Sequence, residues 1–268
     1  MKIKEIVIGL SGVLPNAAYG NYRPNYSMTI ELDETDKEDA IIKEKRAYFR
    51  NLFELDSLAA KAELIELQYQ NIRFREKDGR KYPSVTSILG WDTDWRITQE
   101  ELSQYASRGH IIHYLCYEYL QTGKWINPED APELKDDVAT VMSGKLGLHW
   151  DDCSHKAFFE TSRKDIVITD FEQTVFNDEL LYCGRYDMKG AYKGKKAIFD
   201  IKSGSVHDFR QLAAYAVPVG DIETIVICAV GRTDNKSGYM KPKISDDIEG
   251  EFKSFKKARE KFRLRFGI

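Results

Sequence analysis

Cysteine is scarce in this sequence. Its four cysteines, Cys116, Cys153, Cys183 and Cys228, are widely spaced, and none belongs to a CxxC pair or a Cys/His knuckle. That argues against structural zinc and against an iron–sulfur cluster, and for reduced thiols in a cytoplasmic setting. Long apolar runs are missing too. No stretch of about 18 apolar residues occurs, so no membrane-spanning helix and no membrane partner are expected. The opening "MKIKEIVIGLSGVLP" imitates a signal peptide. Glu5 interrupts its apolar run, however, and no small-x-small cleavage site follows, so a strand is expected instead. Neither sign of charge dominates: 40 Lys and Arg against 43 Asp and Glu leave a formal net charge of −3. Coating of nucleic acid through bulk charge is thereby excluded, whereas a local basic groove is not. G-x-S-x-G and G-x-x-x-x-G-K-[ST] are both absent, and "GHIIHYLCYE" is not H-E-x-x-H. A hydrolase or transferase built on Ser or Cys finds little support there.

Hydrophobic residues make up 42% and charged residues 31%, the balance of a globular chain with a well-solvated surface. Residues 3–10 and 26–32 carry strand patterning. Ile41, Ile42, Tyr48, Phe49, Leu52 and Phe53 then give a helix an apolar face, and "DSLAAKAELIELQYQ" reads as a second helix. Residues 1–75 are expected to form a small N-terminal β-β-α module with no chemical constellation of its own, which could engage a protein partner or substrate or only complete the fold. "NIRFREKDGRKYPS" reads as a charged loop and hinge, and residues 76–268 as a second domain. There "TQEELSQYASRGHIIHYLCYEYLQTGKW" reads as a helix stopping near Gly123, and residues 128–150 as further helix. From residue 166 strands take over in "DIVITDFEQTVF", "LLYCGRYDMKGAY", "KKAIFDIKSG" and "ETIVICAVG", with a helix, "VHDFRQLAAYAV", between the last two. "EGEFKSFKKAREKFRLRFG" is a basic amphipathic helix. This order predicts an α/β fold, a mixed central β-sheet flanked by helices.

The chemistry gathers in "CGRYDMKGAYKGKKAIFDIKSG". An acid-x-Lys pair is weak by itself, since Glu133/Lys135, Asp187/Lys189 and Glu251/Lys253 also fit it. In "AIFDIK", however, Asp200 and Lys202 are two apart on a strand and so share a face. The tight connection "GAYKGKK" pairs the preceding strand antiparallel, bringing Asp187 onto the neighbouring strand. Two carboxylates on adjacent strands can share a hard divalent cation, and a lysine beside them can meet a water or a phosphate. On the following helix His207, Gln211 and Tyr215 recur at intervals of four and share a face. That face suits contacts to a phosphate backbone, or is a polar solvent face.

The order "GRYD", then "FDIK", then "QLAAY" resembles the PD-(D/E)XK nuclease superfamily. Its RecB-like branch also has an upstream helix with a glycine and, four residues on, a histidine, matched here by Gly109 and His113 in "RGHIIH". "PSVTSIL" at 83–89 is similar to a segment of the mitochondrial genome maintenance exonuclease-like members and related phage nucleases. The resemblance covers roughly residues 81–230 and implies a restriction-endonuclease-like core. It implies that Asp187 and Asp200 bind catalytic Mg²⁺ or Mn²⁺, with His113 and the Ile201 backbone carbonyl as further ligands, and that Lys202 positions or activates the water. Gln211 and Tyr215 would touch DNA or brace the site, and Glu172 would take a second metal or simply sit on a strand. For His113 the alternative is a helix histidine packed against "YLCYEYL". Where many members carry a glutamate four residues after that histidine, this chain has Tyr117. The cysteines do not match the iron–sulfur members.

The implied activity is that of a metal-dependent deoxyribonuclease, an exonuclease on single-stranded DNA or DNA ends in replication, recombination or repair, in the cytoplasm of a bacterial or phage-infected cell. The alternative is a DNA-binding or assembly protein that keeps the fold without turnover. Lys253, Lys256, Lys257, Arg259, Lys261, Arg263 and Arg265 of the final helix could contact phosphates in that case, or form a solvated face.

Overall fold

The computed structural model describes residues 4–12, 14–16, 20–22, 24–32, 37–69, 71–93, 97–204, 208–233 and 238–268. The chain divides into two compact units, Met1–Trp91 with Glu260–Ile268, and Asp92–Arg259.

The first unit contains β1 (Lys4–Ser11), β2 (Leu14–Asn16), β3 (Gly20–Tyr22), β4 (Asn25–Leu32), α1 (Glu38–Gln68), β5 (Phe74–Lys77), β6 (Arg80–Pro83) and α2 (Val85–Gly90). β1 and β4 pair antiparallel along their whole length, Lys4 opposite Leu32. β4 alternates exposed and partly buried positions, the period of a strand with one face covered. These two strands and α1 are the expected β-β-α module. The two helical runs read in the sequence are one helix of 31 residues. No glycine or proline interrupts it, and Asp56, expected to open the second run, instead accepts a hydrogen bond from the Tyr26 hydroxyl. The stretch expected as a loop is also a correction: β5 and β6 form a hairpin. Asp78 and Gly79 take φ of 52° and 74°, the signature of a two-residue type I′ turn. Its core gathers Phe49, Ala62, Ile65, Ile72, Tyr82, Val85 and Ile88.

The second unit holds α3 (Gln99–Thr122), α4 (Lys135–Ser143), α5 (His155–Ser162), β7 (Ile166–Phe171), β8 (Thr174–Asn177), β9 (Tyr182–Arg185), β10 (Met188–Tyr192), β11 (Lys195–Lys202), α6 (Phe209–Val219), β12 (Thr224–Ala229) and β13 (Lys243–Ser245); α7 (Ile248–Phe266) begins in it. Thr98 and Glu101 close a reciprocal capping box on α3, and Gly123 ends it in the left-handed conformation at φ 73°. Residues 128–150 are less helical than expected. Pro128 and Pro132 each lead a single 3-10 turn, and only α4 continues as α-helix, since proline supplies no N–H to a helix interior.

Five strands form one mixed sheet in the order β13-β12-β11-β10-β7. β10 and β11 are antiparallel through Lys193 and Gly194, whose φ of 49° and 83° make another type I′ turn. β11 and β12 are parallel, so the chain between them crosses over through α6. Phe199 and Ile201 of β11 join Ile111 and Leu115 of α3, Phe158 and Phe159 of α5, and Val226 and Cys228 of β12 in one core. The residues between them point the other way, as strand alternation requires, and there Asp200 meets Gln211 of α6. The expected α/β architecture, a mixed sheet flanked by helices in one unit and a β-β-α module in the other, is the one observed. Among the described residues no helix is long and apolar enough to cross a membrane. One residue of the basic final helix departs from its expected surface role. Arg259 is buried and donates to the carbonyls of Leu180 and Leu181 at 2.9 and 3.1 Å.

Candidate metal centre

The two segments read as continuous strands, "DIVITDFEQTVF" and "LLYCGRYDMKGAY", are each broken. β7 gives way to β8 at Glu172, which takes φ 49°, and β9 gives way to β10 at Tyr186 and Asp187. Backbone pairing carries across the break. The Glu172 N–H donates to the Asp187 carbonyl at 2.9 Å, and the Tyr186 N–H to the Gln173 carbonyl at 3.2 Å. Asp187 therefore stands at the break, one residue ahead of Met188, rather than on the strand. Met188 pairs with Phe199, so Asp187 comes level with the Asp200 end of β11. Its carboxylate reaches across and accepts the Ile201 N–H at 2.6 Å.

The other side of the Ile201 peptide meets α3. His113 Nε2 lies 3.0 Å from the Ile201 carbonyl, so that nitrogen is the donor. In the neutral ring Nδ1 then carries the lone pair, 3.4 Å from the Tyr117 hydroxyl and 3.8 Å from Asp187 Oδ2. Asp200 is 3% exposed. Its carboxylate pairs with Lys202 Nζ at 2.9 Å and accepts from Gln211 Nε2 at 3.3 Å. Gln211 ties the group together: its Oε1 accepts from Lys202 Nζ at 3.2 Å, and its Nε2 donates to the Tyr215 hydroxyl at 3.0 Å. The Tyr215 ring lies against Gly184, where a Cβ would stand 2.1 Å from Cε1, so the glycine of "GRYD" makes room for the tyrosine of "QLAAY".

Seven expected residues are thus brought together: His113, Asp187, Asp200, Ile201, Lys202, Gln211 and Tyr215. Glu172 is one step removed. One of its oxygens accepts from the Tyr117 hydroxyl at 3.4 Å, and the other pairs with Arg185 at 3.3 Å. His207 lies outside the described residues, and α6 begins two residues beyond it, behind the N-cap Asp208. Tyr117 and Arg185 were not anticipated as partners. The one sequence signal for Tyr117 is its spacing of four from His113 on α3.

The electrostatics describe a pair of carboxylates, Asp200 buried and Asp187 half-buried. Burial pushes the Asp187 carboxyl up to about 6; His113 pulls against this, and the neighbouring Asp200 charge adds to it. Burial works to lower the Lys202 pKa, but the Asp200 carboxylate, through charge and hydrogen bond, outweighs it and the pKa rises. Lys202 is therefore a fixed cation at neutral pH. Burial and the nearby carboxylates push the Tyr117 and Tyr215 hydroxyls well up, so both remain donors.

Carboxylate and carbonyl oxygens suit Mg²⁺ or Mn²⁺, and an imidazole nitrogen weights the set toward Mn²⁺ over Mg²⁺. Two atoms each ~2.1 Å from one cation lie ~3.0 to ~4.2 Å apart. The 3.8 Å between His113 Nδ1 and Asp187 Oδ2, two bases that face each other, falls in that range. Among the described residues, no three His, Cys, Asp or Glu side chains are already grouped closely enough to hold a metal ion. Asp187 is turned to the Ile201 amide and Asp200 to Lys202, so the donor types fit while ligation requires these internal contacts to loosen.

No protein-family model matches the sequence, and no curated protein is similar to it.

Proposed function

We propose that this protein is a Mg²⁺- or Mn²⁺-dependent deoxyribonuclease of the PD-(D/E)XK kind, with the restriction-endonuclease-like core of its RecB-like branch, acting as an exonuclease on single-stranded DNA or DNA ends. The observation that carries this reading is the convergence on one buried peptide. Asp187 takes the Ile201 N–H, His113 meets the Ile201 carbonyl, and Asp200 and Lys202 flank it as an ion pair. His113, Asp187, Asp200 and the Ile201 carbonyl would hold the cation. When bound, it would lower the pKa of a water and offset the charge that develops on the phosphate.

The remaining roles belong to the chain. Lys202 holds its proton and offers a cationic N–H to an attacking water or a phosphate oxygen. Gln211 fixes both members of the ion pair, and Tyr215 fixes Gln211. Tyr117 meets His113 on Nδ1, the nitrogen that faces Asp187. The test is incubation of labelled single- and double-stranded DNA with Mg²⁺ or Mn²⁺. Wild type should cleave, and Asp200→Ala and Lys202→Ala should lose at least about a hundredfold, the scale set by loss of a key electrostatic group. Cleavage that survives either substitution removes the assignment. End-blocked and circular DNA separate the modes, since an exonuclease leaves the circle intact.

The engagement of Asp200 by Lys202 and Gln211 favours a second reading, a DNA-binding protein that keeps the fold without turnover. Salt-dependent DNA binding with no cleavage under any divalent metal would select it.

A further inference from the structure

The first unit holds a cleft of about 190 Å³ between β1 and α1, lined by Gly9, Leu10, Arg46, Phe49 and Arg50. Phe49 is 3% exposed, and its ring stacks on Tyr26 with centroids 6.3 Å apart. That burial fixes the helix about its axis and leaves Arg46 and Arg50 on the flank beside it. The two arginines are one turn apart on one face of α1, and both are exposed. Opposite them Gly9 brings no side chain, so the backbone of β1 is itself part of the wall. Among the described residues β1 pairs with β4 alone. In an antiparallel pair, successive residues alternate between exchanging backbone hydrogen bonds with the partner strand and not doing so. One of Gly9 and Leu10 therefore turns its N–H away from β4.

Neither guanidinium has an ion pair or a hydrogen bond among the described residues. Two acids lie within one turn of either arginine along the helix, Glu44 and Glu54. Glu44 is paired with Lys45 at 2.7 Å, and Glu54 pairs with neither arginine. Lys43, one turn ahead of Arg46, is exposed and also makes no ion pair among the described residues. Three cations without counter-charges thus run along about 10 Å of α1.

We propose that Arg46, Arg50 and the open backbone of β1 form a phosphate-binding site in the first unit, extended by Lys43 along a single-stranded nucleic acid. The donors select the ligand. Each guanidinium carries five N–H groups in a rigid fork, and two forks offer more than the two oxygens of a carboxylate can take. A phosphate sets its oxygens around a tetrahedron, so two forks can engage it from different sides. The row of cations fits successive phosphates of a strand better than one isolated anion. The site lies outside residues 81–230, needs no metal and does not rest on the nuclease reading. A strand phosphate and a free phosphate share this chemistry.

The test is fluorescence anisotropy with a labelled single-stranded oligonucleotide across a salt series in EDTA, beside the phosphorus resonance of inorganic phosphate. Arg46→Gln and Arg50→Gln should each weaken oligonucleotide binding about tenfold and reduce the salt slope by about 0.7, the loss of one single-strand phosphate contact. Arg46→Lys, which keeps the charge and loses the fork, should weaken binding a fewfold with the slope unchanged. Lys164→Gln, an exposed cation of the second unit, should change neither. Both arginines are exposed, so the variants should melt as wild type does. Oligonucleotide binding lost in the two Gln variants identifies strand phosphates. Unaltered oligonucleotide binding, with a phosphorus resonance that wild type broadens and the Gln variants do not, identifies a free phosphate. If neither probe separates wild type from both Gln variants, the site is overturned. An equal loss in Lys164→Gln also overturns it, as does polyglutamate that displaces the oligonucleotide at equal concentration, which makes the ligand a carboxylate. Reduced slopes without cleavage under any divalent metal keep the site and remove the nuclease reading; Asp200-dependent cleavage with neither probe altered does the reverse.

Discussion

A methyl group at position 184 would meet the Tyr215 ring at 2.1 Å, far inside contact distance, on the ring that holds Gln211. Gly184→Ala should therefore cost about 1–3 kcal/mol by overpacking. It should also lower cleavage more than the melting shift alone accounts for, because Gln211 and Lys202 move with the ring; denaturant unfolding beside a rate assay tests both. Two ionisable groups, His155 buried and Asp187 half-buried, set opposite pH dependences. Burial, then Lys156, holds the His155 ring down at about 4, below its ordinary 6.5. Its contribution to stability is present above pH 6.5 and is lost as pH falls through 4. Asp187, held up at about 6 from 3.8, contributes below pH 4, and that contribution is lost as pH rises through 6. In chelator, His155→Gln should flatten the acid limb of a melting profile, and Asp187→Asn the limb approaching neutrality. Local rules made much of the site legible: the strand period for Asp200 and Lys202, the tight turn for Asp187, helical spacing for Gln211 and Tyr215. Arg259 was not legible, because its partners, the carbonyls of Leu180 and Leu181, lie 79 and 78 residues away.

Among elements, the β10–β11 hairpin carries the centre. Gly194 sits at φ 83°, where a β-branched residue is strained. Gly194→Val should cost about 1–2 kcal/mol. By loosening β10 from β11 it should also shift Asp187 from the Ile201 amide, so cleavage should fall even at temperatures where the variant is folded. Unchanged melting and rate would contradict the turn assignment. Long periodic elements were readable here, as in α3 with its cap at Thr98 and stop at Gly123. Short ones were not. β5 and β6 are four residues each and charged, so their apolar signal is faint, although the dipeptide Asp78-Gly79 marks the turn. α5 has eight residues, too few for a helical period to stand out. The break at Glu172 and Asp187 has no local signature either.

At the scale of the molecule, the order of helices and strands foretold a mixed sheet, but it could not foretell that a compact unit draws on both ends of the sequence. Residues Glu260–Ile268 belong with Met1–Trp91. Phe262 is fully buried, Phe266 sets its ring edge-on to Tyr69 and Trp91, and Arg265 donates to the Tyr69 hydroxyl at 3.2 Å. Deleting residues 1–91 should therefore expose two phenylalanines, and the remainder should self-associate on size exclusion unless residues 260–268 are removed with them. The same pairing orders events on the ribosome. Once residue 259 has cleared the exit tunnel, every residue of the second unit is available to fold, while the first unit, although made earlier, still waits for its last nine residues. The apolar surface that Phe262 and Phe266 cover thus stays open until residues 260–268 emerge, after the whole of the second unit.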